Sequence, residues 1–153
     1  MNVIKGDATV PVEGYDKVII MHCCNNIGAW GAGFVVPLGR KYPRAKQDFL
    51  KCSNPALGAV IFSQQGGVVI ANIIGQEGIR SRGNTSPVRY DALETGFKAV
   101  WKVADHFRKQ ELSVAIQFPK MGSGLAGGDW IIVAESILRV LEEFPLYLVE
   151  LST

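Results

Sequence analysis

Apolar positions fall in short uninterrupted runs separated by glycine, proline and polar turns. The run at 17–23, centred on Val18-Ile19-Ile20-Met21, has no polar alternation. It predicts a strand buried on both faces. Asn2 to Lys5, Ser113 to Phe118 and Leu146 to Leu151 are further strand candidates, with Gly6-Asp7-Ala8-Thr9 turning the chain after the first and 10–16 reading as loop. Gly58 to Ser63 and Val68 to Ile74 are two β-rich runs, and Gln64-Gln65-Gly66-Gly67 between them predicts a hairpin.

Helical periodicity occupies the intervals. Val35 to Tyr42 reads as a short helix that tolerates Pro37 in its first turn. Pro43 breaks it, and Ala45 to Cys52 is a second helical piece. Ser86-Pro87 reads as an N-cap followed by proline at the first helical position. From there a helix runs to about Gln110, with Leu93, Phe97, Val100, Trp101, Ala104 and Phe107 on one face. Asp129 suits the N-cap of a last helix, Trp130 to about Glu143, burying Trp130, Ala134, Ile137, Leu138 and Leu141. Residues 75–85 form a polar connection, long enough to suggest a binding loop.

Strands alternating with helices predict an α/β layered domain, a mixed and mostly parallel sheet with one antiparallel hairpin. Ligands of such sheets bind beyond the carboxyl ends of the strands. Two glycine-rich loops leave predicted strand ends and enter predicted helices: Gly28-Ala29-Trp30-Gly31-Ala32-Gly33-Phe34 and Pro119 to Gly128. Glycines let backbone N–H groups approach a ligand, and a helix start adds partial positive charge, so both loops suit phosphate. Neither the dinucleotide fingerprint nor a Walker A loop is present. An ordinary strand-to-helix turn is the plainer alternative for either loop taken singly.

Composition narrows the class. The 153 residues suit one domain, residues 1–153, with 48% hydrophobic and 20% charged positions. A net charge of +2 argues for neither nucleic acid nor a membrane surface. No apolar run spans a bilayer and no leader pattern opens the chain. Cys23, Cys24 and Cys52 are odd in number and lack metal-site spacing, which predicts a reduced, cytoplasmic protein. Histidine and acidic clusters with ligand spacing are missing, so no metal is expected.

Three stretches together resemble the macrodomain family. They are Lys5-Gly6-Asp7-Ala8, His22-Cys23-Cys24-Asn25-Asn26-Ile27-Gly28-Ala29-Trp30-Gly31-Ala32-Gly33, and Pro119 through Trp130. Order and spacing match over essentially the whole chain. The resemblance implies a three-layer α/β/α sandwich that binds ADP-ribose, without cofactor or metal. Arg40-Lys41-Tyr42-Pro43-Arg44-Ala45 brings it nearest the fungal ADP-ribose-1″-phosphate phosphatase branch. The implied function is removal of that phosphate by a monomer. The alternatives are removal of ADP-ribose from protein or nucleic acid, and binding without catalysis.

By position, the resemblance assigns Asp7 and Ala8 to the adenine, and Asn25 and Asn26 to the distal ribose. Gly31, Ala32, Gly33 and Phe34 form the first phosphate loop; Gly122, Ser123, Gly124, Leu125 and Ala126 form the second. Trp30, Phe34 and Tyr90 are candidates to close over the ligand. His22, Asn25, Asn26 and Asp129 are the candidate catalytic groups; a buried core histidine and a simple N-cap are the plainer readings of His22 and Asp129. One departure is notable. Terminal ADP-ribose-protein glycohydrolases use a lysine and an aspartate where this chain has Gln76 or Glu77, and Ala126, which disfavours their Schiff-base route.

Overall fold

The computed structural model describes residues 1–122 and 127–151. Along them run β1 (Asn2–Lys5), β2 (Lys17–Asn25), α1 (Val35–Lys41), α2 (Pro43–Lys51), β3 (Val60–Gln65), β4 (Val68–Gln76), α3 (Tyr90–Lys109), β5 (Val114–Phe118), α4 (Trp130–Leu141) and β6 (Leu146–Glu150). The strands form one sheet in the order β1-β6-β5-β2-β4-β3. Neighbours run parallel except β3 and β4, the antiparallel hairpin.

The uninterrupted apolar run of β2 is explained by its place. It sits between β4 and β5, and its residues alternate between two cores. Ile19 and Met21 pack with Leu93, Phe97 and Val100 of α3 and Val133 and Ile137 of α4. Val18 and Ile20 pack with Leu38 of α1 and Ala45 and Phe49 of α2. The result is the expected three-layer α/β/α sandwich. All parallel strands end at one edge, where β2, β4 and β5 release their loops.

Two helix starts and the burial of two helix faces differ from the sequence pattern. Pro43 starts α2 at its first position, where a fixed φ is preorganised and a missing N–H costs nothing. Ser86-Pro87 does not start α3, whose N-cap is Arg89. Instead, 87–89 pairs with the end of β4: Glu77 N–H donates to Pro87 O and Arg89 N–H to Gly75 O, both at 2.8 Å. That pairing satisfies backbone groups a helix start would leave open. In α4 the buried side chains are Val133, Ser136, Ile137 and Leu141, while Leu138 is exposed. Val133, Ile137 and Leu141 enter the core shared with α3, and Ser136 beside them donates to Glu94 Oε1 at 3.3 Å. Trp101 is only half-buried, against the edge of the core.

Close approach of α3 to the sheet depends on Gly96, where a Cβ would lie 2.3 Å from Ile73 Cγ2. Alanine gains about 1 kcal/mol in helix propensity. Forcing α3 off β4 costs about 1–3 kcal/mol. Gly96→Ala is therefore expected to lower stability by about 1 kcal/mol, read as a reduced urea midpoint at unchanged slope.

Candidate functional site

A cavity of about 480 Å³ opens at the carboxyl ends of β2, β4 and β5. Its floor is the end of β2, from His22 to Asn25. One wall is the first glycine loop, Ala29 and Gly31 to Val35; the others are Gln76, Ile79 and Arg80 after β4, and Pro119 to Gly122 after β5. Among the described residues, the charged lining is Arg80 and Lys120, with no carboxylate. Lys120 is held 3.4 Å from Glu150 at the end of β6.

The first loop is built to present backbone. Gly33 has φ +81°, a conformation that favours glycine. Among the described residues, no acceptor engages the N–H groups of Gly31, Ala32, Gly33, Phe34 or Val35. Asn25 holds the turn before it: Oδ1 accepts from Ile27 and Ala29 N–H at 3.1 and 3.0 Å, and Nδ2 donates to Ala29 O at 2.8 Å. Asn26 does not line the cavity. Its Oδ1 accepts from Gly78 N–H at 2.8 Å and so ties this loop to the one after β4.

His22 lies beneath the loop, 2% exposed. Its Nε2 is 2.5 Å from Asn72 Oδ1, and Asn72 Nδ2 donates to Ala45 O of α2 at 3.1 Å. The rings of Trp30 and Phe34 meet it edge-on, at centroid distances of 5.9 and 5.5 Å. Burial lowers its pKa to about 4 despite the opposing hydrogen bond from Asn72, so the ring is neutral at pH 7. Cys23 and Cys24 alternate faces on β2 as the pattern predicted; burial pushes the Cys23 thiol up to about 12 and raises Cys24 as well. Neither is a thiolate.

The other predicted residues fall as follows. Phe34 lines the cavity; Trp30 belongs to the core against Phe49, and Tyr90 Oη accepts from Asp129 N–H at 2.8 Å away from the lining. Asp129 is an exposed N-cap, with Oδ1 accepting from Ile131 N–H at 2.9 Å, and is not part of the described cavity wall. Asp7 Oδ1 accepts from Thr9 N–H and hydroxyl at 2.9 and 2.7 Å, which lowers its pKa. Asp7 and Ala8 lie outside the cavity lining. Gly122 has φ +73° and closes the wall after β5. Ser123, Gly124, Leu125 and Ala126 lie outside the described residues. At the place of the glycohydrolase lysine it is Gln76 that reaches the wall, while Glu77 pairs with Arg89 at 3.1 Å. Among the described residues, no group of three or more His, Cys, Asp or Glu could hold a metal ion.

Two supporting residues escaped the sequence reading. Asn72 and Gln117 are both fully buried. Gln117 Nε2 donates to Ala8 O and Val10 O at 3.0 and 2.8 Å, and its Oε1 accepts from Val12 N–H at 2.8 Å. It pins the loop carrying Asp7 and Ala8 to the sheet. Each is a lone polar residue inside an apolar strand, a signal visible in sequence because a buried amide must have partners.

Fold and cavity define an α/β protein with an anion site at its strand ends. No family model matches the chain. It is 30% identical over 152 residues to ADP-ribose 1″-phosphate phosphatase of Candida albicans, covering 92% of this chain and 91% of the relative. Among solved structures, a macrodomain protein from Streptomyces coelicolor is 32% identical, with TM-score 0.78 and 97% of each chain covered. A Bacteroides thetaiotaomicron protein of unknown function is 33% identical, with TM-score 0.83, covering 99% of this chain and 97% of its own. The chain belongs to the macrodomain family.

Because His22 is neutral when folded and titrates near 6.5 when unfolded, its contribution to stability is complete above pH 6.5. That contribution declines as pH falls towards 4. Wild type is expected to lose about 3 kcal/mol more than His22→Gln between pH 7 and 4 in urea titrations. Equal losses in the two proteins would contradict a suppressed histidine pKa.

Proposed function

We propose that this macrodomain binds ADP-ribose and hydrolyses ADP-ribose-1″-phosphate to ADP-ribose and inorganic phosphate. The observation that carries the reading is the row of uncommitted N–H groups from Gly31 to Val35, in a cavity whose charged lining is basic. Such donors neutralise phosphate oxygens without reorganising as charge develops. The name of the Candida relative, similar over nearly the whole of both chains, supports this reaction.

In this reading the first loop and Gly122, continued by Ser123 to Ala126, hold the phosphates, and Phe34 packs on the distal ribose. Asp7 and Ala8, placed by Gln117, take the adenine. His22 is the cavity-lining group able to accept a proton as water attacks phosphorus and the ribose oxygen leaves. Asn25, Asn26 and Asp129 act through the backbone they hold. No helix among the described residues is long and apolar enough to cross a membrane. The same reading has the protein act as a monomer in the cytoplasm, with ADP-ribosylated protein or nucleic acid as competing substrates.

One observation favours a second reading, binding without turnover. Oδ1 of Asn25, Asn26 and Asp129 each accepts from a backbone N–H, which among the described residues leaves His22 and the protonated thiols of Cys23 and Cys24 as the uncharged acid–base candidates in the wall. Phosphate release from ADP-ribose-1″-phosphate, with calorimetric affinity for ADP-ribose, separates the two. Turnover supports the phosphatase; binding alone leaves the module; neither outcome survives a failure to bind ADP-ribose. Gly33→Ala replaces a residue at φ +81° and turns the loop's N–H groups aside. It is expected to weaken ADP-ribose binding roughly tenfold, about 1–2 kcal/mol of backbone strain.

A further inference from the structure

The amide of Asn72 can be oriented from its surroundings. Its nitrogen side lies 3.1 Å from Ala45 O, and a carbonyl oxygen only accepts. The NH₂ group must occupy that side, which turns Oδ1 towards His22 Nε2. An amide oxygen likewise only accepts, so the proton of this contact belongs to Nε2. Both side chains are nearly or fully buried, at 2% and 0% exposure, and among the described residues no carboxylate pairs with the ring. A neutral imidazole carries one proton, and here it is spent inward.

We propose that Asn72 is a positioning residue that fixes His22 as the Nε2–H tautomer, so that the ring presents an Nδ1 lone pair to the ligand. Among the described residues, the polar side-chain atom near Nδ1 is Cys24 Sγ, a weak donor 3.8 Å from both ring nitrogens. His22 lines the cavity. A lone pair repels phosphate oxygen and accepts from O–H. His22 therefore selects a hydroxyl or water, and the anion belongs on the backbone N–H groups of 31–35. The low pKa agrees, since a ring that stays neutral gives up no second proton at pH 7. The identity of the hydroxyl, on the distal ribose or the attacking water, rests on the function proposed above. The tautomer does not.

The chain has two histidines, so long-range proton–nitrogen spectra of ¹⁵N-histidine-labelled protein need only His106→Asn for assignment. Wild type is expected to show a protonated Nε2 and a lone-pair Nδ1 for His22. Asn72→Asp, which keeps an acceptor in place, retains the Nε2 proton, whereas Asn72→Leu gives a tautomer mixture. With ADP-ribose added, the Nδ1 signal moves and Nε2 does not. In turnover assays Asn72→Leu lowers kcat roughly tenfold with KM within about twofold, the split expected of a misoriented proton acceptor. A wild-type ring protonated on Nδ1 overturns the proposal, even if Asn72→Leu fails to fold. An unmoved Nδ1 in a protein that binds ADP-ribose overturns it too. Absence of ADP-ribose binding or turnover would instead overturn the function reading, while the free-protein spectrum still decides the tautomer.

Discussion

The structure depends on β2 being hydrogen-bonded on both sides and buried on both faces. β4 pairs with it from Val18 to Asn25 and β5 from Lys17 to Ile20, while the two helical layers cover its faces. Such a strand must be apolar nearly throughout, because every polar group on it needs a partner within the protein. Its parallel neighbours run in its own direction, which gathers their carboxyl-end loops at one edge. The cavity is a consequence of that pairing, and its floor is the last polar-bearing stretch of the strand, His22 to Asn25.

The side chains around the cavity serve the backbone more than they serve the solvent. Asn25 closes the turn that leads into the first loop, Asn26 links that loop to the segment after β4, and Gln117 holds the strand-end loop after β1. Each uses both ends of an amide or a single well-placed oxygen. Among the described residues, the N–H groups from Gly31 to Val35 have no acceptor, and the cavity they line also carries Arg80 and Lys120. Fixed donors and basic side chains in a described lining that contains no carboxylate favour anionic oxygen over a neutral ligand.

His22 differs from its neighbours because its state follows from burial. Removed from water and flanked by Trp30, Phe34 and the protonated Cys24 thiol, it has no charge to share. Asn72 offers a dipole in place of a counter-ion. An aspartate at that position would hold a charged ring; an amide holds a neutral one. The difference between the two is a single oxygen for nitrogen, and it decides whether the histidine can give a proton or only take one.

Much was legible in the sequence because short-range physics sets it. Uninterrupted apolar runs marked the buried strands, two glycines marked the hairpin, and Asp129 beside Trp130 marked an N-cap. The glycine loops at strand ends indicated where a ligand would sit. Tertiary structure decided matters that depend on partners distant along the chain. Ser86-Pro87 carries a helix-start pattern, yet 87–89 pairs with the end of β4 that lies past its pairing with β3. Which stripe of α4 is buried follows from its packing on α3 and the sheet, which takes Val133, Ile137 and Leu141 into the core and leaves Leu138 exposed. The sequence by itself determined that residues 22–34 form a strand, turn and glycine loop suited to an anion. Only the fold decided that Asn72, fifty residues away, meets His22 and fixes its hydrogen bonding, because β2 and β4 become neighbours only when the sheet is assembled.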